Sequence, residues 1–240
     1  MFYDLAKYLF FRPMVYLLFW PRIVGRNKIP AHGAAILACN HLGTGEAFLL
    51  PTLIKPHLVF PAKKELFRTD TILRRLATFF LRLIRQVPLD RDGGDASAGG
   101  LGSMHQVLRD GGVIAIFPEG HRSPDGRLYR GHTGVARLAM TEDIPVHPVG
   151  VFNTRFTKKK WLPFPWLYRP RLIIGDAMRL PEDMRQRFLT APDREQAGVA
   201  LREATDLIMS RIQAITGQEQ VDEYSWRPDK AHRHSGSPVG

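Results

Sequence analysis

The chain has 240 residues, 44% of them hydrophobic, which suits one α/β domain with a substantial core and leaves little room for a second. Lys and Arg number 34 against 23 Asp and Glu, a formal charge of +11, so the surface attracts anions: phospholipid headgroups, nucleic acid or phosphorylated cofactors, among which charge alone does not choose. The single cysteine, Cys39, excludes an intramolecular disulfide and a multi-cysteine zinc site and fits a reducing compartment.

Residues 1–22, MFYDLAKYLFFRPMVYLLFWPR, are apolar and aromatic. Asp4, Lys7, Arg12 and Pro13 interrupt them before the ~20 clean apolar residues of a membrane span accumulate. The features of a signal peptide do not occur in order, so the segment is expected to stay attached. Phe2, Tyr3, Tyr8, Phe10, Phe11, Tyr16, Phe19 and Trp20 favour the headgroup layer of a bilayer, with Lys7 and Arg12 snorkelling outward. The expectation is an interfacial, membrane-anchoring helix; the plainer alternative is a helix packed on the core.

Pro21 and Gly25 end that helix, and strand-like Ala34 to Cys39, helical Glu46 to Ile54 and strand-like Leu58 to Phe60 then alternate. Asp70 is a candidate N-cap for a helix through Ile84, with Arg74, Arg75, Arg82 and Arg85 opposite an apolar stripe. Such a helix suits a membrane surface, and equally an ordinary solvated helix on a core. Val87 to Leu89 reads as a short strand, Gly93 to Gly102 as a flexible small-residue stretch, and Ser103 to Arg109 as the end of a helix. Val113 to Phe117 reads as a buried strand, His132 to Met140 as a helix, Val146 to Val151 and Leu172 to Gly175 as strands, and Ala197 to Ile215 as an amphipathic helix. Between those last strands, Lys158, Lys159 and Lys160 precede Trp161, Phe164, Trp166 and Tyr168, a mixture suited to a bilayer interface, though a nucleic-acid loop looks similar. The polar segment 217–240 is expected to be largely unstructured.

Two loops carry chemistry. Cys39-Asn40-His41-Leu42-Gly43-Thr44-Gly45-Glu46 follows a buried strand and precedes a helix, where α/β folds commonly hold active sites. His41 and Glu46 can meet only if the chain turns, which Gly43 and Gly45 permit. Glu46 at the helix start could then bind one imidazole nitrogen and leave the other to accept a hydroxyl proton; a purely structural His–Glu hydrogen bond is the alternative. Phe117-Pro118-Glu119-Gly120-His121-Arg122-Ser123 follows the next buried strand and brings a carboxylate, a glycine, a guanidinium and a hydroxyl into one loop, with Arg122 able to clamp a phosphate. Cys39 beside His41 is a second candidate nucleophile, but its apolar neighbours suit a small buried residue better. Backbone N–H groups around Gly43 to Gly45 and Gly120 are candidate oxyanion donors. His41, His121, His132 and His147 lack tight ligand spacing, so no metal is expected.

Together, NHLGTGE and FPEGHRS resemble the 1-acyl-sn-glycerol-3-phosphate acyltransferase family, whose blocks read roughly NHxxxxD and FPEGTRS. Val87-Pro88-Leu89-Asp90-Arg91 and Ile144-Pro145-Val146-His147-Pro148-Val149-Gly150 fall where the family's weaker blocks stand. The resemblance runs from about Val24 to Gly175. It implies an acyltransferase domain over residues 23–216, with a mixed, largely parallel sheet flanked by helices. It implies His41 as base, Glu46 as its orienting acid, and Arg91, Glu119, Gly120, Arg122 and Ser123 about the acceptor phosphate. It also implies acyl-CoA or acyl carrier protein as co-substrate, lysophosphatidic acid as acceptor, no cofactor and no nucleic acid, at the cytoplasmic face of the cell membrane as a peripheral or monotopic protein. The chain has Glu46 where the family normally has Asp, and His121 where it has Thr or Ser. Glycerol 3-phosphate, another lysophospholipid, or an amino-acid or glycan lipid are alternative acceptors. A basic binding protein without chemistry, or a thioester hydrolase, are alternative classes.

Overall fold

The computed structural model describes residues 5, 7–63, 70–71, 75, 78, 86–89, 96–157 and 166–225. A π-helical turn, Lys7–Phe11, leads into helix α1, Arg12–Phe19, with Pro13 in the first turn, where its missing N–H is harmless. The strands are β1, Arg22–Val24; β2, Ala35–Cys39; β3, Leu58–Lys63; β4, Gln86–Leu89; β5, Val113–Ile116; β6, Leu128–Tyr129; β7, Val146–Phe152; β8, Arg171–Ile174; and β9, Gln220–Val221. The remaining helices are α2, Glu46–Leu53; α3, Ala96–Arg109; α4, Gly134–Glu142; α5, Glu182–Leu189; and α6, Arg194–Thr216.

Seven strands form one sheet in the order β1-β8-β7-β2-β5-β3-β4, and β6 pairs with β9 in a second, small sheet. Every pair is parallel except β7 with β8, so the sheet is mixed and mostly parallel, as expected. The central strands AILAC and VIAI are buried at every position, the uninterrupted apolar pattern of parallel strands covered on both faces. Ile36, Ala38, Ile114 and Ile116 face a core with α3, α4 and α6, built on Met104, Leu138, Ile208 and Ile212. Ala35, Leu37, Cys39, Val113 and Ala115 face a second core with α1 and α2, which Val15, Phe19, Leu49, Leu50 and Leu53 fill. Because β2 and β5 are parallel, with Ala38 beside Ile116, the two chemistry-bearing loops leave the same edge side by side.

Several expectations are corrected. Lys7 does not snorkel: it is 2% exposed, and its Nζ donates to the Ile54 carbonyl at 2.6 Å. Among the described residues no helix is long and apolar enough to cross a membrane. The stretch read as flexible is helical from Ala96, because packing of Leu101, Met104 and Leu108 on the core outweighs the low helix propensity of Gly99, Gly100 and Gly102. The segment from Gly217 is structured through residue 225: β9 pairs Gln220 with Leu128 and Val221 with Tyr129. Strand β1 and helix α5 lie where no element was expected. The helix expected over 70–84 and the Lys158–Lys160 run lie wholly or largely outside the described residues, as do residues 1–4 and 226–240.

Candidate active site

Beyond β2 the chain turns at Thr44 and Gly45 and enters α2 at Glu46. The turn brings Glu46 back beneath the loop, where its Oε2 bonds His41 Nδ1 and its Oε1 accepts from the N–H groups of Leu42 (2.7 Å) and Gly43 (2.6 Å). The Thr154 hydroxyl donates to the same Oε1 at 2.5 Å. Glu46 and Thr154 are both wholly buried, so the carboxylate is held by four groups in a site closed to water. The longer Glu side chain in place of Asp is accommodated, since it reaches the imidazole and the loop amides together. The loop must pass close under the 152–157 segment: a Cβ on Gly43 would stand 2.3 Å from the Thr154 carbonyl oxygen, and one on Gly45 2.7 Å. A side chain at either position would strike backbone.

The His41 ring stacks on Phe117 at 4.2 Å between centroids, and its side chain is 20% exposed. Its Nε2 makes no hydrogen bond to any described residue. The imidazole is thus fixed on one nitrogen and open on the other, the geometry in which a ring can take a proton from a substrate hydroxyl.

Glu119 does not reach outward to a phosphate. It is wholly buried, with Oε1 accepting from the His41 N–H at 2.7 Å and Oε2 from the Tyr129 N–H at 3.0 Å, so it ties the loop after β5 to the loop after β2. Burial pushes its carboxyl up to about 7, against the two N–H bonds that favour its charged form, with the Glu46 and Asp125 charges adding to the rise. Gly120 adopts φ +70 with the His132 ring 2.8 Å from where a Cβ would stand. Ser123 is also turned inward: its hydroxyl accepts from the Gly126 N–H at 2.8 Å and bonds Asp125 at 3.3 Å, and its N–H donates to the His41 carbonyl at 2.7 Å. Arg122 is exposed, and its guanidinium has no partner among the described residues. Arg91 lies outside them.

Three of the expected oxyanion donors are already used. The Gly43 N–H serves Glu46, the Gly45 N–H donates to the Thr154 carbonyl at 3.1 Å, and the Gly120 N–H to the Phe117 carbonyl at 3.0 Å. Cys39 is wholly buried, and burial, with the nearby Glu46 charge, raises its thiol well above the usual range, so it stays protonated.

Sequence reasoning passed over three residues. Asn40, inside the first motif but given no role there, exchanges two hydrogen bonds with the Val151 backbone, at 3.2 and 2.7 Å, and donates to the Gln218 side chain at 2.8 Å. Thr154 completes the Glu46 site, and Arg155 donates to the carbonyls of Leu42 (3.0 Å) and Ser123 (2.6 Å), joining the two loops. A polar residue directly after a buried strand was a usable signal for Asn40. Thr154 and Arg155 act across more than 30 residues of chain and had none.

An imidazole oriented by a buried carboxylate, at the edge where parallel strands of an α/β sheet end, is an arrangement suited to general-base chemistry. Residues 21–152 match the family model described as Acyltransferase; the chain belongs to that family and is an acyltransferase. It is 26% identical over 196 residues, 81% of this chain and 87% of the relative, to the 1-acyl-sn-glycerol-3-phosphate acyltransferase of Bacillus subtilis. The protein of that name from Pseudomonas aeruginosa is 26% identical over 64% of this chain and 57% of its own length. A probable 1-acyl-sn-glycerol-3-phosphate acyltransferase of Mycoplasma genitalium is 33% identical over 53% of this chain and 47% of its own length. In fold the chain is similar to the crystal structure of the 1-acyl-sn-glycerophosphate acyltransferase of Thermotoga maritima, with a TM-score of 0.59 at 18% identity over 89% of this chain and 79% of that one.

Proposed function

We propose that this acyltransferase moves a fatty acyl chain from a thioester, acyl-CoA or acyl carrier protein, onto the free hydroxyl of lysophosphatidic acid, giving phosphatidic acid for phospholipid synthesis. The observation that carries the reading is the His41 ring, held at Nδ1 by buried Glu46 and open at Nε2. Nε2 takes the acceptor's hydroxyl proton as the oxygen attacks the thioester carbonyl; the tetrahedral oxyanion collapses, the C–S bond breaks, and the departing thiolate takes that proton from the imidazolium. No acyl-enzyme is needed. The names of the relatives support the acceptor, and exposed Arg122 supplies a guanidinium suited to its phosphate.

Both substrates carry long chains, whose transfer to water costs ~0.8 kcal/mol per methylene, so the reaction belongs at a bilayer surface, here the cytoplasmic face. The N-terminal segment supports that placement: Val15 and Phe19 pack on the core while Leu9, Phe10, Met14, Leu17 and Trp20 of the same segment stay exposed. It lies on the bilayer in this reading, rather than across it.

Thiol release from a long-chain acyl-CoA, with and without detergent-dispersed lysophosphatidic acid, tests the assignment in wild type and His41→Ala. Release that depends on acceptor, forms phosphatidic acid and falls at least ~10³-fold in the variant is the expected outcome. Release indifferent to acceptor or to His41 would sink the assignment.

A further inference from the structure

Away from the catalytic loop, at the outer edge of the sheet, Trp20, Arg22, Phe152, Asn153, Arg169 and Arg171 line a cavity of about 630 Å³. Strand register builds it. Arg22 stands opposite Arg171 in the β1–β8 pair, and Phe152 opposite Arg171 in the β7–β8 pair, so the three side chains form one row on one face. The Arg171 guanidinium lies 4.2 Å from the centre of the Phe152 ring. Like charges directly opposite on a sheet repel. No carboxylate among the described residues pairs with Arg22, Arg169 or Arg171 to relieve that repulsion. Backbone strain marks the same place: Trp20 (φ 44), Asn153 (φ 57) and Arg169 (φ 43) hold left-handed conformations, and all three border the cavity.

The cavity opens on the edge that carries the active site. Strands β1 and β8 begin where β7 ends, and β7 lies beside β2, so Arg171 on β8 stands two strand spacings and Arg22 on β1 three, about 10 and 14 Å, across the sheet from the strand that leads into the His41 loop. A second cavity, of about 450 Å³, shares Phe152 and Asn153 with the first and reaches Asn40, Leu42 and Arg155 around that loop.

We propose that the arginine-lined cavity is a phosphate-recognition site distinct from the acceptor's phosphate contact. Its ligand carries two or more phosphate oxygens beside a ring or an apolar portion: guanidiniums take the oxygens in pairs, and Trp20 and Phe152 offer faces for the rest. Two sources present that chemistry. One is the phosphorylated nucleotide of a coenzyme-A thioester, whose acyl end would then reach His41 along the second cavity; this source rests on the proposed function. The other is the phosphodiester headgroup of an anionic bilayer, which does not.

Calorimetric titration with coenzyme A lacking an acyl chain, and co-sedimentation with phosphatidylglycerol against phosphatidylcholine vesicles, separate the sources. Arg22→Ala/Arg171→Ala should weaken binding at least tenfold in one arm, and His41→Ala should leave both arms unchanged, so loss of the catalytic reading is distinguishable from loss of this one. A change confined to coenzyme A identifies the nucleotide, and one confined to phosphatidylglycerol identifies the headgroup. Arg22→Lys/Arg171→Lys, which keeps charge and volume, guards against a folding defect in the alanine variant and should retain part of the affinity. Wild type binding neither probe, or binding unchanged in the double alanine variant, would overturn the proposal.

Discussion

Thr154→Val tests whether the buried carboxylate organises the site. The change keeps the shape of the side chain and removes the hydroxyl that donates to Glu46 Oε1 at 2.5 Å, in a place where neither residue is exposed. A hydrogen bond to a charged group contributes ~1.5–3 kcal/mol, so we expect a loss of ~2 kcal/mol. For a domain of this size that lowers Tm by ~4–8 °C. Leu42 and Gly43 still hold Oε1, and Oε2 still holds His41, so catalysis should suffer less than stability: kcat falls by no more than about tenfold, ~1.4 kcal/mol, with KM unchanged. Urea denaturation and thioester turnover measure the two, and Thr154→Ser, which restores the hydroxyl, should recover both. If Thr154→Val is as stable as wild type within ~0.5 kcal/mol, the claim that this hydroxyl satisfies a buried carboxylate is refuted.

Glu119 has its carboxyl raised to about 7 in the folded chain from an ordinary 4.5, so its contribution to stability is fully present below about 4.5 and is lost as pH rises through about 7. The stability of wild type relative to Glu119→Gln should therefore fall by ~3 kcal/mol between those limits in denaturation curves taken across the range; parallel curves would mean that the buried carboxyl titrates as it does in water. Cys39→Ala should keep thioester turnover within about twofold while costing ~1 kcal/mol of stability for the small void. Loss of turnover in that folded variant would point instead to an acyl-cysteine intermediate.

The sequence determined the central sheet and the motif-bearing loops. Uniform burial makes AILAC, VIAI and VHPVGV near-continuous apolar runs that end in polar motifs, and a residue that must be apolar at every position leaves a plain signal. The His41–Glu46 pair was legible because both partners lie in one glycine-bearing turn. Three features came only with the tertiary structure: Glu119 facing inward onto the His41 and Tyr129 amides, Thr154 and Arg155 closing the site from the loop after the neighbouring strand β7, and Gln218 reaching Asn40 from a segment expected to lack structure. The arginine row depends on strand register as well, since Arg22 and Arg171 meet only when β1 and β8 pair. Local pattern reports which side of an element is buried, because burial is a property of each residue's own periodicity. It carries no record of which distant polar group will be paired with which, because that choice is made by the order and register of strands far apart in the chain.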